Sequence, residues 1–357
     1  MTITPTKPLT PTHVKGLLWT DILVKASARL GPVRLVWNNR MATQTTQSTA
    51  FWHHLDLTEP HTDWSGQSQT QIGERYVRFH AERRASDPRA LRDCLARADD
   101  GWIHPAGRRM LDLWRAELDL LGVTDLGLAD DRPLPGSATD VLAALAGRGL
   151  LVDHRRFGGP VHLDGPRWGL PLRQLISAEG HPNYLLPILR ELLPMVRPHR
   201  MFLLVHDEEL TADYLLLERV LGTFGATATR LALGRVPVNG TVRSSRYGGW
   251  RGATLADLSA VPGTAGRAAY RLGMRMYFAG MHHRRSAQSF RLPLLRRCVG
   301  RAARLLERTP AERDLDLDRT LSRLQAQRGY VDPYRLTSAV LGRRAAPPDP
   351  ALRAIYT

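Results

Sequence analysis

The chain has 357 residues, a formal net charge of +16 and only two cysteines, Cys94 and Cys298. That length suits one large α/β domain with a smaller companion. No run of 18 apolar residues occurs, so no membrane-spanning helix is expected. Two cysteines exclude a four-cysteine zinc site; with no charged-then-apolar leader, they set the expectation of a reducing, cytoplasmic setting.

Lysine is confined to Lys7, Lys15 and Lys25, and arginine carries the rest of the positive charge. Residues 263–357 hold 19 arginines against 7 acidic residues, which is +12 of the +16. A basic segment beside a nearly balanced one points to a polyanionic partner such as RNA. A solvated helical face is the ordinary alternative.

Residues 1–12 are Thr/Pro-rich and read as extended. Leu17–Leu30 follows as an apolar, helix-like stretch, and Val33–Trp37 (VRLVW) reads as a strand. Trp37–Gln44 is a polar segment at that strand's end, with Asn38, Asn39 and Gln44 as candidate ligands. Residues 56–72 are turn-rich. Helical patterns return at Gly73–Ala85, Asp87–Ala98 and Gly107–Gly122, and Ser137 is placed to cap a helix over Ala138–Arg148. Phe157–Leu172 is β-like, broken by Gly and Pro.

Met201–Val205 (MFLLV) fits a strand buried on both faces. It ends in His206, Asp207, Glu208 and Glu209, at the edge where open parallel sheets bind ligands. Leu215–Phe224 reads as an amphipathic helix stopped by Gly225, and Thr229–Leu233 as a second strand. The loop Gly240–Gly249 then carries Arg243, Ser244, Ser245 and Arg246 between glycines. Hydroxyls and guanidinium forks bind phosphate oxygens, and glycine lets backbone N–H groups approach. From Gly263 the chain reads as helical to its end. Pro293 opens a helix through Arg308, apolar along Leu295, Cys298, Val299, Ala302, Leu305 and Leu306. Its other side carries Arg297, Arg301, Arg304 and Arg308, a stripe that can track RNA phosphates. No metal-ligand spacing is found: His53-His54 and His282-His283 are adjacent pairs that diverge on a helix.

In order and spacing, these segments resemble the catalytic domain of class I aminoacyl-tRNA synthetases, and most closely an arginyl-tRNA synthetase. Ser244-Ser245-Arg246-Tyr247-Gly248 looks like the family's second signature loop, often KMSSR-x-G, with Val242 and Arg243 in place of Lys-Met. Thr254–Leu258 looks like the segment after it. His13-Val14-Lys15-Gly16 stands where the family has His-x-Gly-His, keeping the first histidine only. Trp37–Gln44 resembles the Tyr-x-Asn-Asp-x-Gly-x-Gln segment near the amino-acid pocket. The long helix, Leu-Gly-Val, turn, helix, Arg-Gly-Leu-Leu-Val succession also fits, as does the Asp164-Gly165 turn.

The resemblance implies an α/β fold with a Rossmann-like parallel sheet, a helical insertion and a C-terminal α-helical domain. The expected division is a catalytic domain at 1–262, with its insertion at about 73–150, and a basic helical domain at 263–357 whose anticodon-binding part is shortened or missing. The expected cofactor is ATP with Mg2+; the partners are an amino acid and tRNA. His13, Lys15, Arg243 and Ser245 would be catalytic. His13, Gly16, Asp207, Ser244, Ser245 and Arg246 would bind ATP. Asn38, Asn39, Gln44, Tyr184 and Glu208 would hold the substrate. Lys15 would either replace a phosphate ligand or block the base. Two activities remain open: an ATP-dependent ligase acting on tRNA or a small acceptor, or a diverged paralogue that binds tRNA without ATP chemistry.

Overall fold

The computed structural model describes residues 3–37, 40–82, 87–123, 132–242, 248–259, 266–307, 317–342 and 350–357. Among these, helices dominate. They are α1 (Pro11–Ala28), α2 (Arg40–Thr43), α3 (Thr46–Thr58), α4 (Gln69–Glu82), α5 (Pro88–Asp99), α6 (Pro105–Leu121) and α7 (Ala138–Ala146). Three short strands follow: β1 (Leu151–Asp153), β2 (Val161–Leu163) and β3 (Arg173–Ile176). Next come α8 (Leu185–Leu192), β4 (Met201–Asp207), α9 (Thr211–Thr223) and β5 (Thr227–Leu233). The remainder is α10 (Leu255–Ser259), α11 (Gly266–Arg275) with a π-helical turn at Met276–Met281, α12 (Leu292–Glu307), α13 (Leu317–Ala326), α14 (Pro333–Val340) and α15 (Pro350–Tyr356).

Two compact units divide the chain. The first holds Met1–Lys7, Trp37–Asp112 and Gly127–Ala232; the second holds Pro8–Val36, Leu113–Leu126 and Leu233–Thr357. The boundary expected at 262/263 lies outside the described residues.

In the first unit, β1, β2 and β3 form an antiparallel meander, with Val152 opposite His162 and Leu163 opposite Arg173. β4 and β5, joined through α9, form a small parallel sheet. The β4–α9–β5 unit matches the expected strand, helix and strand. Gly225 ends the helix at φ 86°, a backbone angle that L side chains rarely adopt. Helices α3, α4 and α5 bury Phe51, Trp52, Tyr76, Phe79, Leu91 and Cys94. Phe51 meets Tyr76 edge-on at 5.1 Å between ring centres. Each large apolar side chain so buried contributes about 1.5–3 kcal/mol of transfer free energy.

In the second unit, α1 is buried almost all round, from Val14 to Ala26. Its Trp19 indole donates to the Phe278 carbonyl at 2.9 Å, in the π-helical turn. Deeper still, Arg275 Nη2 donates to Asp21 Oδ2, and both side chains are wholly enclosed. Lys25 Nζ joins the same carboxylate at 3.0 Å. Arg275 Nη1 also donates to the Leu121 carbonyl at 2.8 Å and Nη2 to the Gly122 carbonyl at 3.0 Å. Burial and the neighbouring Arg275 both hold the Lys25 ammonium below its ordinary pKa.

Two expectations fail here. Val33–Trp37 forms no strand: Val33 and Arg34 are exposed, Leu35–Trp37 are half-buried, and among the described residues none of the five is in a ladder. β-branched composition favours a sheet only where neighbouring strands offer packing. α1 begins at Pro11, not Leu17, because Thr10 caps it six residues earlier.

Candidate functional site

The start of α1 carries the first expected feature. Thr10 is the N-cap and Pro11 the first helical residue, where a missing N–H costs nothing. Thr10 and His13 form a reciprocal capping box: the Thr10 N–H donates to His13 Nδ1 at 3.0 Å. Nδ1 therefore accepts, so the neutral ring carries its proton on Nε2. The side chain is half-buried at the positive end of an 18-residue helix.

The paired-serine loop is rooted on that turn at both feet. Val236 N–H donates to Thr12 Oγ1 at 3.0 Å, and Leu255 N–H donates to the Leu9 carbonyl at 2.8 Å. Between those feet runs the chain that holds Arg243, Ser244, Ser245 and Arg246; these four lie outside the described residues. On the near side, Val238 and Thr241 bridge across Asn239 (φ 53°) and Gly240 (φ 77°), the tight Asn-Gly turn of a hairpin. On the far side, Thr254 and Asp257 cap α10: Thr254 N–H donates to Asp257 Oδ2 at 2.7 Å, and Asp257 N–H to Thr254 Oγ1 at 3.1 Å. The expected Thr254–Leu258 segment is thus a capped helical turn seated beside Leu9.

Lys15, a candidate phosphate ligand, turns into the core. Its side chain is wholly buried, and Nζ donates to the carbonyls of Gly234 (2.9 Å) and Arg284 (3.1 Å). The lysine in the His-Val-Lys-Gly stretch faces inward and ties α1 to two segments of the second unit. Gly16 is buried, and its carbonyl accepts from Thr20 Oγ1 at 2.8 Å. Near Lys15, His282 is fully enclosed; burial, then the Lys15 charge, pushes its pKa down to about 4.

The other candidates belong to the first unit. Asp207 ends β4 half-buried and Glu208 is exposed just beyond it. His206 is buried, stacked on Tyr214 at 4.4 Å, with Nδ1 at 2.9 Å from the Asp207 carbonyl. Burial lowers its pKa. Gln44 is engaged on both ends of its amide. Nε2 donates to Asp99 Oδ1 and Oε1 accepts from Arg190, each at 2.8 Å. Arg190 also donates to the Gly136 carbonyl at 2.7 Å, so this network braces the helices. Tyr184 donates to Asp213 Oδ2, which also accepts from Arg173 Nη2 at 2.8 Å. Burial, then Asp213, raises the Tyr184 pKa. Asp213 was not singled out from sequence; it sits in the first turn of α9, where a carboxylate reads as an ordinary dipole partner. Asn38 and Asn39 lie outside the described residues.

The basic stripe of α12 divides. Arg297 and Arg304 are exposed. Arg301 donates to the carbonyls of Leu341 (2.8 Å) and Gly342, which anchors it within the unit. Arg308 lies outside the described residues. Five of the six expected apolar positions are buried, and Leu306 is half-buried. Among the described residues no three His, Cys, Asp or Glu side chains gather as a metal site, and no helix is long and apolar enough to cross a membrane.

The architecture is mostly helical α/β with a small parallel sheet. It is similar to that of Thermus thermophilus arginyl-tRNA synthetase, at 16% identity and a TM-score of 0.53, over 82% of this chain and 59% of that one. A Campylobacter jejuni structure assigned as an arginyl-tRNA synthetase matches at 15% identity and a TM-score of 0.43, over 76% and 62% of the two chains. The chain thus spans about three fifths of the length of the synthetases it matches. No protein-family model matches the sequence, and no curated protein does.

Proposed function

We propose that this chain is a class I aminoacyl-tRNA synthetase-like ligase. It joins an amino-acid carboxylate to the α-phosphate of ATP, releases pyrophosphate, and passes the acyl group to tRNA or a small acceptor. In this reading β4–α9–β5 is the core of a Rossmann-like sheet. The observation that carries it is the double attachment of the paired-serine loop to the Leu9–Thr12 turn, through Val236 and Leu255. A phosphate site built from a helix N-terminus and a Ser/Arg-rich loop needs those two parts held together.

His13 would direct Nε2–H, and Arg243, Ser244, Ser245 and Arg246 their donors, at the charge that develops on the phosphates. Mg2+, when bound with ATP, would neutralise part of that charge. Gly16 leaves α1 without a side chain one turn in. In the first unit, Asp207, Glu208 and Tyr184 are the proposed contacts to ribose or the amino acid. Asn38 and Asn39 join them, with Gln44 fixing the local frame through Arg190. Arg297 and Arg304 are the proposed RNA contacts.

Pyrophosphate exchange into ATP, run with each of a panel of amino acids and with or without tRNA, is the test. Exchange with one amino acid supports the ligase; none with any removes it. The inward turn of Lys15 favours a second reading, because it withdraws a cation from the phosphate end of α1. There the chain binds tRNA or aminoacyl-tRNA without ATP chemistry. Tight, steeply salt-dependent tRNA binding without ATP binding would select it.

A further inference from the structure

The small meander of the first unit carries arginines laid over aromatic rings. The Arg148 guanidinium lies 4.6 Å from the Phe224 ring centre, Arg167 5.3 Å from Trp168, and Arg156 4.5 Å from Phe157. Arg167 Nη1 donates to the Gly149 carbonyl at 2.8 Å, and Gly149 directly follows Arg148. The Arg148–Phe224 and Arg167–Trp168 pairs therefore share one end of the sheet. Arg156–Phe157 lies on the β1–β2 turn, a three-residue strand away, which is about 10 Å.

The two turns repeat one design. Each is a single 3-10 turn ending Arg–aromatic–Gly, closed by Gly158 (φ 71°) or Gly169 (φ 68°). All three guanidiniums are exposed, and Phe157 is 73% exposed. Neighbouring Arg155 is neutralised by Asp153, which Arg155 in turn holds down to a pKa of about 2. Among the described residues none of these three arginines meets a carboxylate.

Arg148 Nη1 donates to the Thr223 carbonyl as Arg167 Nη1 does to that of Gly149, and the remaining N–H groups of each guanidinium can meet a phosphate. Phe157 is exposed and Trp168 and Phe224 are half-buried, and the part of each ring left open can meet an unpaired base. A duplex hides its base faces, so only its phosphates would engage. We propose that this face binds a single-stranded RNA segment. Bases stack on Trp168 and Phe224, phosphates meet Arg148 and Arg167, and Arg156–Phe157 extends the track. The proposal rests on the RNA-partner part of the reading above and is independent of amino-acid activation.

Fluorescence anisotropy of the full chain with a labelled single-stranded RNA of about ten nucleotides tests it, against the same sequence as a duplex. The single strand should bind more tightly. Trp168→Ala should weaken it about tenfold and Trp168→Phe should restore most of that loss. Phe157→Ala, at an exposed position that does not carry the fold, should weaken it severalfold. Equal affinity for duplex and single strand, no saturable binding, or full affinity in both alanine variants would overturn the proposal. The last result would leave the rings to a protein partner. The assay does not read activation, so a failed exchange experiment leaves it intact, and its own failure leaves activation untouched.

Discussion

Asp21→Ala should destabilise the second unit by about 3–5 kcal/mol, the usual cost of removing one partner of a buried ion pair. The Asp21 and Arg275 side chains are both 0% exposed, and the same carboxylate also meets Lys25. Without it, two cations remain. Lys25 is 21% exposed and reaches water; Arg275 does not. Arg275 keeps its bonds to the carbonyls of Leu121 and Gly122, which solvate part of the guanidinium and place the cost near the lower end. Even about 3 kcal/mol is a large share of the 5–15 kcal/mol that typically holds a domain folded. Urea denaturation followed by circular dichroism measures it. The midpoint should fall while the slope of the transition stays the same. The double variant Asp21→Leu/Arg275→Met should recover most of the loss, since a packed apolar pair can replace a buried salt bridge at little cost. A loss below about 1 kcal/mol for Asp21→Ala would refute the reasoning.

Acid should weaken both units through neutral histidines. His104, whose Nε2 lies 3.2 Å from Asp56 and whose ring stacks on Trp52, is held down to about 4 chiefly by burial, against the pull of Asp56. His282 is held at about 4 as well. The unfolded rings protonate near 6.5, so between about 6.5 and 4 the unfolded state binds more protons and stability falls as pH falls. Each ring adds up to about 1.4 kcal/mol per pH unit in that window, and His104→Gln should flatten the slope measured by urea titrations. Gly273→Ala should cost about 1–3 kcal/mol despite alanine's helix propensity. A Cβ there would stand 2.6 Å from the Val299 Cα where α11 meets α12, and thermal unfolding reads the loss. Arg297→Ala should lower the salt slope of tRNA binding by about 1. Arg301→Ala should leave that slope alone and lower stability, because its carbonyl partners at Leu341 and Gly342 lose their donor.

Much of the helical framework was legible because its periodicity is strong. α4, α5, α6, α7 and α12 all fall within a few residues of their patterns. β4–α9–β5 was legible because an apolar run, an amphipathic helix and a stopping glycine occur in order. α8 was missed because it is short, all eight of its residues are buried, and Pro187 in its first turn reads as a breaker. α3 was missed because threonine and histidine mask a buried row of Ser48, Phe51, Trp52 and Leu55. The site was legible in residue type and less so in direction. Nothing in His-Val-Lys-Gly says that Lys15 turns inward; two carbonyls from segments more than 200 positions away decide it. Gln44 likewise finds Arg190 through the tertiary fold alone.

The central claim is that the α1 turn and the loop rooted on it hold a nucleotide. Isothermal calorimetry of ATP with Mg2+ into the full chain tests it most directly. Saturable binding below about 1 mM, weakened about tenfold by His13→Ala, is the predicted result. No saturable binding in the intact protein, or an affinity untouched by His13→Ala, would contradict it.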